Sequence, residues 1–198
     1  IEADPTHVPP GWSEWYGATD NLFYFGYGYT LNENGTLVTY GKAESDYNTD
    51  VVASKAIDFV NRATAMPERT PFMLMLAPTA PHLPLPPAPR HLDNPYSSAL
   101  APHTPNYNED DVSDKPFWLR KTASQRAAIV NAWNDMDYRN RMGSLYAVDE
   151  MVAQLVQTLE QSGELDNTWI IFTSDNGYNL GSHRLIHKMA PMRNRFAC

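Results

Sequence analysis

The sequence predicts an α/β fold with a mostly parallel central sheet. Two continuous apolar runs, "FMLML" at 72–76 and "WIIF" at 169–172, have the pattern of strands that are buried on both faces. A long stretch with helical periodicity lies between them. The order strand, loop, helix, strand is typical of a parallel sheet, whose ligands collect at the carboxyl ends of its strands.

Composition fits one compact domain and excludes several classes of protein. The chain has 198 residues, of which 42% are apolar and 19% charged, as is ordinary for a globular protein. A net charge of -8 without a Lys/Arg run argues against nucleic acid as a partner. No apolar stretch approaches the length of a membrane span. The sole cysteine is the last residue, Cys198, so we expect neither a disulfide framework nor a cysteine metal cluster.

The first half of the chain predicts a hairpin and a helix. "NENG" between "YGYTL" and "TLVTY" has the chemistry of a turn in a short antiparallel hairpin. From Asp50 the apolar residues recur on one helical face, with Asp50 or Thr49 as the N-cap and an end before Pro67.

The middle of the chain predicts a loop and then the longest helix. Nine of the sixteen prolines fall between Pro78 and Pro105, which is too many for a helix or a ladder and predicts a long ordered or semi-ordered loop. The helical region spans 124–162, with Gly163 as its stop. Its apolar stripe consists of Met142, Leu145, Val148, Val152, Leu155 and Leu159.

Polar clusters follow both apolar runs, and the two clusters could share one crevice. Asp175 and Asn176 offer a carboxylate and an amide oxygen side by side, which suits calcium or magnesium. The alternative is that Asn176-Gly177 is only a hairpin turn. Against it, we see no alternating return strand after Gly177 but a loop that ends in Arg184, His187 and Lys188.

His82 and Lys188 are candidate site residues because each lies in a polar segment that follows an apolar run. A histidine such as His82 is usually a solvated or capping residue, but this one comes directly after a predicted strand. Lys188 is an ordinary surface charge unless an anion binds nearby.

Six segments in order resemble the sulfatase family, of the arylsulfatase and N-acetylglucosamine-6-sulfatase type. They are "PPGW-EWYG", "YTLNENG", "DYNTDVVASKAIDFV", "PFMLMLAPTAPHLP", "MGSLYAVDEMVAQLVQTLEQSGELDNTWIIFTSDNGYNLG" and "HRL--K". The resemblance implies that 1–188 is the central portion of a sulfatase domain. It also implies an alkaline-phosphatase-like α/β/α sandwich, incomplete at its N-terminal and C-terminal sides.

The resemblance implies hydrolysis of a sulfate monoester, of a sulfated carbohydrate or an aryl ester, by a formylglycine nucleophile beside a divalent cation. The cation is usually Ca2+, and Mg2+ is the other option. Matched by position, Asp175 and Asn176 fall on metal ligands. His82 falls on a histidine that contacts sulfate and helps protonate the leaving oxygen, and Lys188 on a lysine that bridges sulfate and nucleophile. His183 joins them as substrate-binding.

Two elements of the family pattern are missing from this sequence. It contains no Cys-x-Pro/Ala-x-Arg element, from which formylglycine is made, and no paired aspartates ahead of such an element. We therefore expect the chain alone to be inactive and its cation to be incompletely bound. We also expect association through an exposed sheet edge. The compartment stays open on the residues alone, while the resemblance suggests a secreted, periplasmic or lysosomal protein.

The tail at 189–198 departs from the family pattern. Dropping one base from a codon string for "YEEPIRV" yields "MRNRFAC", which is the end of this chain. We predict a frameshifted tail, in which Cys198 has no family role.

Two other functions stay open. A phosphodiesterase or phosphonate hydrolase of the same superfamily would use the same cation, histidine and lysine. A non-catalytic glycan-binding remnant would need none of them.

Overall fold

The computed structural model describes residues 4–66, 70–124, 130–188 and 196–197. Its strands and helices follow one another as β1 Tyr16–Ala18, β2 Thr30–Glu33, β3 Thr36–Thr39, α1 Asn48–Thr64, α2 Phe117–Ser124, α3 Val130–Gln161, β4 Gly177–Leu180, β5 Ile186–His187 and β6 Phe196–Ala197. Apart from β6, the tail at 189–198 lies outside the described residues, as does Cys198, so the frameshift stays a prediction.

The N-terminal sheet contains the predicted hairpin. β2 pairs antiparallel with both β1 and β3, and Glu33 lies opposite Thr36 across a two-residue turn. Asn34 and Gly35 in that turn have φ of 52° and 92°, the left-handed conformations that a tight hairpin turn requires. The hairpin prediction is confirmed.

Helix α1 begins earlier than predicted. Its N-cap is Tyr47, which makes no side-chain cap, so the expected cap at Asp50 or Thr49 is wrong. A tertiary contact decides the start: the buried Asn48 amide donates to the Phe23 carbonyl at 2.6 Å and to Thr79 Oγ1 at 2.7 Å. Asp50 instead accepts from Arg90.

Helix α3 supplies the surface on which the other segments pack. Ala53 of α1 forms a buried cluster with Val148 and Met151 of α3, and Leu145 and Leu155 pack against it. Three of the six residues of the predicted apolar stripe, Leu145, Val148 and Leu155, therefore contact this cluster. The predicted stop is confirmed, because Gly163 has φ 73° and Glu164 N–H donates to the Leu159 carbonyl at 2.9 Å. Helix α3 covers 130–161 of the predicted 124–162, and 125–129 lie outside the described residues. Helix α2 was not predicted, because it lies ahead of that region and shares only Ser124 with it.

The proline-rich loop is ordered, as predicted. Tyr47, Leu85 and Ala88 form a buried cluster, and the Tyr47 hydroxyl donates to the Pro86 carbonyl at 2.8 Å. Arg90 binds the carboxylates of Asp50 and Glu150, which fastens the loop to α1 and α3. Within the described ranges, no helix combines the length and apolarity needed to cross a membrane.

The two apolar runs are not buried strands. Neither 72–76 nor 169–172 forms a backbone hydrogen bond to another segment within the described residues, and all strand pairs found there are antiparallel. Trp169 is 95% exposed and Met73 72% exposed. The prediction of burial on both faces is therefore wrong, because an apolar run favours burial but does not supply the neighbouring strands and helices that would cover it. The mostly parallel sheet is likewise not seen among the described residues.

Candidate functional site

The polar segment after the second apolar run contains a short hairpin. β4 pairs antiparallel with β5, with Asn179 opposite His187 and Leu180 opposite Ile186. Our expectation that no return strand follows Gly177 is therefore wrong. The chain reverses at 181–185, where Gly181 has φ 98°, so Asn176-Gly177 is not the hairpin turn either. Asp175 and Asn176 lie just ahead of β4 instead.

Asp175 and Asn176 carry the types of oxygen, carboxylate and amide, that Ca2+ and Mg2+ prefer as ligands. The Asp175 side chain is exposed, and its carboxylate makes no hydrogen bond or ion pair with any described residue. The Asn176 amide nitrogen donates to the Gly177 carbonyl at 3.0 Å, which leaves its Oδ1 as the atom for a ligand. The described residues hold no cluster of three or more acidic, histidine or cysteine ligands, and Ca2+ takes about 6–8 oxygens, so these two residues supply only part of a shell.

His82 lies on an exposed turn in the proline-rich loop. Its N–H donates to the Thr79 carbonyl at 2.6 Å, and its own carbonyl accepts from Leu85 N–H at 3.1 Å. The imidazole packs on the Tyr24 ring, with centroids 4.7 Å apart, and Nδ1 bonds to the Leu83 carbonyl. Nε2 is the nitrogen left to face a ligand.

Lys188 and His183 differ in their exposure. Lys188 is exposed and directly follows β5. His183 is half-buried: its Nδ1 lies 2.5 Å from Glu109 Oε1, and its Nε2 lies 3.2 Å from Asn106 Nδ2. Because both ring nitrogens already have protein partners, His183 would have to give one up to bind substrate. Its substrate-binding role stays a prediction, as do the roles of the other four site residues.

A buried cluster on α3, which the sequence analysis missed, contacts both polar segments. Arg141 Nη1 donates to the Pro81 carbonyl at 3.0 Å, next to His82. The Arg141 guanidinium also lies over the Tyr178 ring in β4, 4.0 Å from its centroid. One side chain of α3 thereby ties the loop of His82 to the strand that follows Asn176.

The Tyr178 hydroxyl extends this cluster. It lies 3.0 Å from Asp137 Oδ2 and 2.8 Å from His187 Nδ1. Since a phenol has one proton, donating it to Asp137 leaves its oxygen to accept from His187 Nδ1–H. Burial raises the pKa of Asp137, although Tyr178, His187 and Arg141 each oppose that rise. The spacing of Asp137 and Arg141, four residues apart on one helical face, is the signal that could have revealed the cluster.

Residues 106–108 pack against the loop between β4 and β5. Asn108 N–H donates to the Gly181 carbonyl at 2.8 Å, and His183 N–H donates to the Asn106 carbonyl at 2.7 Å. At Gly181, an added Cβ would lie 2.5 Å from a Tyr107 ring carbon. Only glycine therefore allows this approach.

Comparison with known proteins identifies the family. The Sulfatase family model matches residues 6–194. The chain belongs to the sulfatase family. It is 37% identical over 180 residues to the N-acetylglucosamine-6-sulfatase of Capra hircus, covering 90% of this chain and 31% of that sulfatase. It is 32% identical over 186 residues to the putative extracellular sulfatase Sulf-1 homolog of Caenorhabditis elegans, covering 93% of this chain and 26% of the relative.

A solved structure shares the fold. A protein in complex with its substrate D-glucosamine-2-N,6-O-disulfate superimposes with a TM-score of 0.67 at 23% identity, covering 91% of this chain and 47% of the other. The likeness places the chain among sulfatase-like folds, for which the alkaline-phosphatase-like architecture is expected. This sulfatase chain spans about a third or less of the length of the two curated relatives above.

Proposed function

We propose that this chain contributes part of the site of a sulfuric ester hydrolase. The observation that carries the proposal is the double contact of Arg141, with the Pro81 carbonyl on one side and the Tyr178 ring on the other. Both polar segments that follow the apolar runs are thus fastened to one helix. Membership in the sulfatase family supports the chemistry.

Each candidate residue has a part in such a site. Asp175 and Asn176 would hold a divalent cation through their oxygens, and the cation would supply positive charge to the sulfate. His82 would donate its Nε2 proton to the leaving oxygen as the S–O bond breaks, which spares the alcohol from leaving as an alkoxide. Lys188 would neutralise a sulfate oxygen, since a lysine is a compact point charge.

The nucleophile is not among these residues. The sole cysteine, Cys198, stands outside a Cys-x-Pro/Ala-x-Arg pattern, so this chain has no residue for a formylglycine. We therefore expect the 198-residue chain alone to turn over no sulfate ester, because no covalent sulfo-enzyme can form.

The substrate that we propose is a 6-sulfated glucosamine unit of a carbohydrate. One relative is named for N-acetylglucosamine-6-sulfate, and the structural neighbour holds a glucosamine disulfate. An aryl sulfate is a second, less specific substrate. The word "extracellular" in the name of the nematode relative favours a secreted location.

The test is hydrolysis by the longest polypeptide that the gene encodes, with glucosamine-6-sulfate and the matching 6-phosphate as substrates. We expect sulfate release, and a loss of about 100-fold or more in kcat for His82→Ala. His7→Ala is the control, because His7 is exposed and its hydrogen bonds among the described residues, to the Asp4 carbonyl and from the Asn32 amide, are made by its backbone. Faster cleavage of the phosphate, or full activity of His82→Ala, would overturn the proposal.

A further inference from the structure

His187 is held in place by two buried side chains of β4. The Asn179 amide donates to the His187 carbonyl at 2.9 Å, and the Tyr178 hydroxyl lies 2.8 Å from His187 Nδ1. Asn179 and Tyr178 are both buried, so water competes weakly for these two contacts. The backbone and the imidazole of His187 are therefore positioned by the same strand.

The backbone of His187 has an uncommon conformation. Its φ is 65°, in the left-handed region that residues other than glycine rarely adopt. Such a conformation persists where surrounding contacts hold it, and it is frequent at binding and catalytic sites. It also ends the side-chain alternation of β5 at the last residue of that strand. His187 and Lys188 are therefore not obliged to point to opposite sides, and one ligand can contact both.

Hydrogen bonding selects one neutral form of the imidazole. The ionised carboxylate of the buried Asp137 can only accept, so the Tyr178 hydroxyl donates to its Oδ2 at 3.0 Å. The phenol oxygen then accepts from His187, which places the imidazole proton on Nδ1. Nε2 consequently carries a lone pair, and it has no hydrogen-bond partner within the described ranges.

The lone pair on Nε2 decides which ligands suit His187. A sulfate oxygen does not, because it is itself an acceptor. A metal ion would need further ligands, and the part of the chain that the structure describes has no group of three or more that could hold one. A hydroxyl group suits it, since it donates a hydrogen bond. The His187 ring is only half-buried, so such a group can reach Nε2.

We propose that His187 binds the substrate by accepting, at Nε2, a hydrogen bond from a hydroxyl group of the sugar. Its neighbour Lys188 is the proposed ligand of the sulfate, and the Cα atoms of adjacent residues are about 3.8 Å apart, so one sulfated sugar can contact both. Asp137 and Tyr178 are positioning residues, because they act on the sugar only through His187. This inference rests on the proposed function, in which the substrate is a 6-sulfated glucosamine.

The test is NMR of the histidine side-chain nitrogens in the longest polypeptide that the gene encodes, at about pH 8, where an ordinary imidazole is neutral. We expect His187 to carry its proton on Nδ1 and none on Nε2. Glucosamine should shift the Nε2 resonance, whereas inorganic sulfate at the same concentration should not. A proton on Nε2, or a shift with sulfate alone, would overturn the proposal. These measurements use the native protein and need no variant that fails to fold.

Two variants separate this role from a structural one. His187→Phe keeps a ring beside Tyr178 but removes the acceptor, so the dissociation constant for glucosamine should rise about 3- to 10-fold, as expected for one hydrogen bond. Tyr178→Phe removes the acceptor of Nδ1–H, which mixes the two tautomers and should weaken binding by a smaller factor. His7→Phe is the control, because His7 is exposed and lies outside both polar segments. Unchanged affinity in folded His187→Phe, checked by circular dichroism, would contradict the proposal.

The outcome for His187 can be told apart from the outcome for the hydrolase. A polypeptide that shows the glucosamine shift but no turnover of any sulfate ester would support the sugar contact and overturn the proposed hydrolase activity. Turnover of glucosamine 6-sulfate without a glucosamine shift at Nε2 would support the hydrolase and overturn the sugar contact.

Discussion

The guanidinium carbon of Arg141 lies 4.0 Å from the centroid of the Tyr178 ring, and this contact joins two segments that are far apart in the sequence. The same guanidinium donates to the Pro81 carbonyl, 60 residues earlier. Arg141 is only 9% exposed, so both contacts are made where water competes weakly. We therefore expect the loop of His82 and strand β4, which follows Asn176, to be coupled, so that loosening one also loosens the other.

Replacing Arg141 tests this coupling. Arg141→Met keeps much of the packing of the stem but removes the cation–π contact and the hydrogen bond to Pro81, at a cost of about 2–4 kcal/mol in the free energy of unfolding. Hydrogen exchange should quicken at both 79–85 and 177–180. Arg139→Met is the control on the same helix, since within the described part of the chain the Arg139 side chain donates to the Ala99 carbonyl at 3.2 Å and to neither of these two segments. If only one of the two segments loosened, Arg141 would not be the link between them.

Asp137 should make stability depend on pH in an unusual direction. Its pKa is raised by burial above the ordinary 3.8, so the folded state binds more protons than the unfolded state through that interval. The contribution of Asp137 to the free energy of unfolding must then fall as pH rises from about 4 through the raised pKa. Asp137→Asn still accepts from Tyr178 and should lack this decline.

The measurement for Asp137 is urea unfolding at a series of pH values, comparing the variant with the native chain. Asp149→Asn serves as control, because Asp149 is exposed on the same helix. An identical pH dependence in Asp137→Asn and the native chain would show that Asp137 is not responsible.

Local chemistry explains which elements could be predicted from the sequence. The turn at Asn34-Gly35 and the helix stop at Gly163 depend on backbone conformations that their own residues favour, and both predictions are confirmed. The strand predictions at 72–76 and 169–172 depended on neighbours, which no apolar run can specify. The predicted start of α1 is wrong for a similar reason. The helix begins at Asn48, whose buried side chain bonds to the distant Phe23 carbonyl and Thr79 hydroxyl rather than capping the helix.

The candidate site divides in the same way. Asp175, Asn176, His82 and Lys188 could be chosen from residue type, position after an apolar run and family resemblance, although their roles are still untested. The contacts of Arg141 with Pro81 and Tyr178 could not be predicted, because the periodicity of a helix does not indicate which distant segments will pack on that helix. The family resemblance predicts His183 as a substrate ligand, but the contacts of its ring with Glu109 and Asn106 could not be predicted, because those residues lie 74 to 77 positions away in the sequence.

Two glycines form a matched pair for testing the hairpin loop. Gly163 and Gly181 both have positive φ, of 73° and 98°, but only Gly181 has atoms where a Cβ would stand. Gly163→Ala should therefore cost only backbone strain, about 1–2 kcal/mol. Gly181→Ala should cost about 1–3 kcal/mol more, because the Tyr107 ring and the Asn134 amide must both move. Thermal or urea unfolding of the two variants gives the difference, and equal losses would mean that Tyr107 and Asn134 do not pack closely against this loop.

The last prediction concerns the cation. Asp175 and Asn176 offer one carboxylate and one amide oxygen, whereas extracellular calcium modules with full shells bind with dissociation constants of about 0.1–1 mM. We therefore expect the 198-residue chain to bind Ca2+ more weakly than about 1 mM, since each missing oxygen removes charge that offsets dehydration of the ion. Weak binding should still shift the amide resonances of 174–177 in NMR titrations, and Asp175→Ala should abolish the shifts. Asp166→Ala is the control, because Asp166 precedes the second apolar run while Asp175 follows it. Shifts that persist in Asp175→Ala but vanish in Asp166→Ala would put the cation at the wrong end of that run and end the metal-ligand assignment.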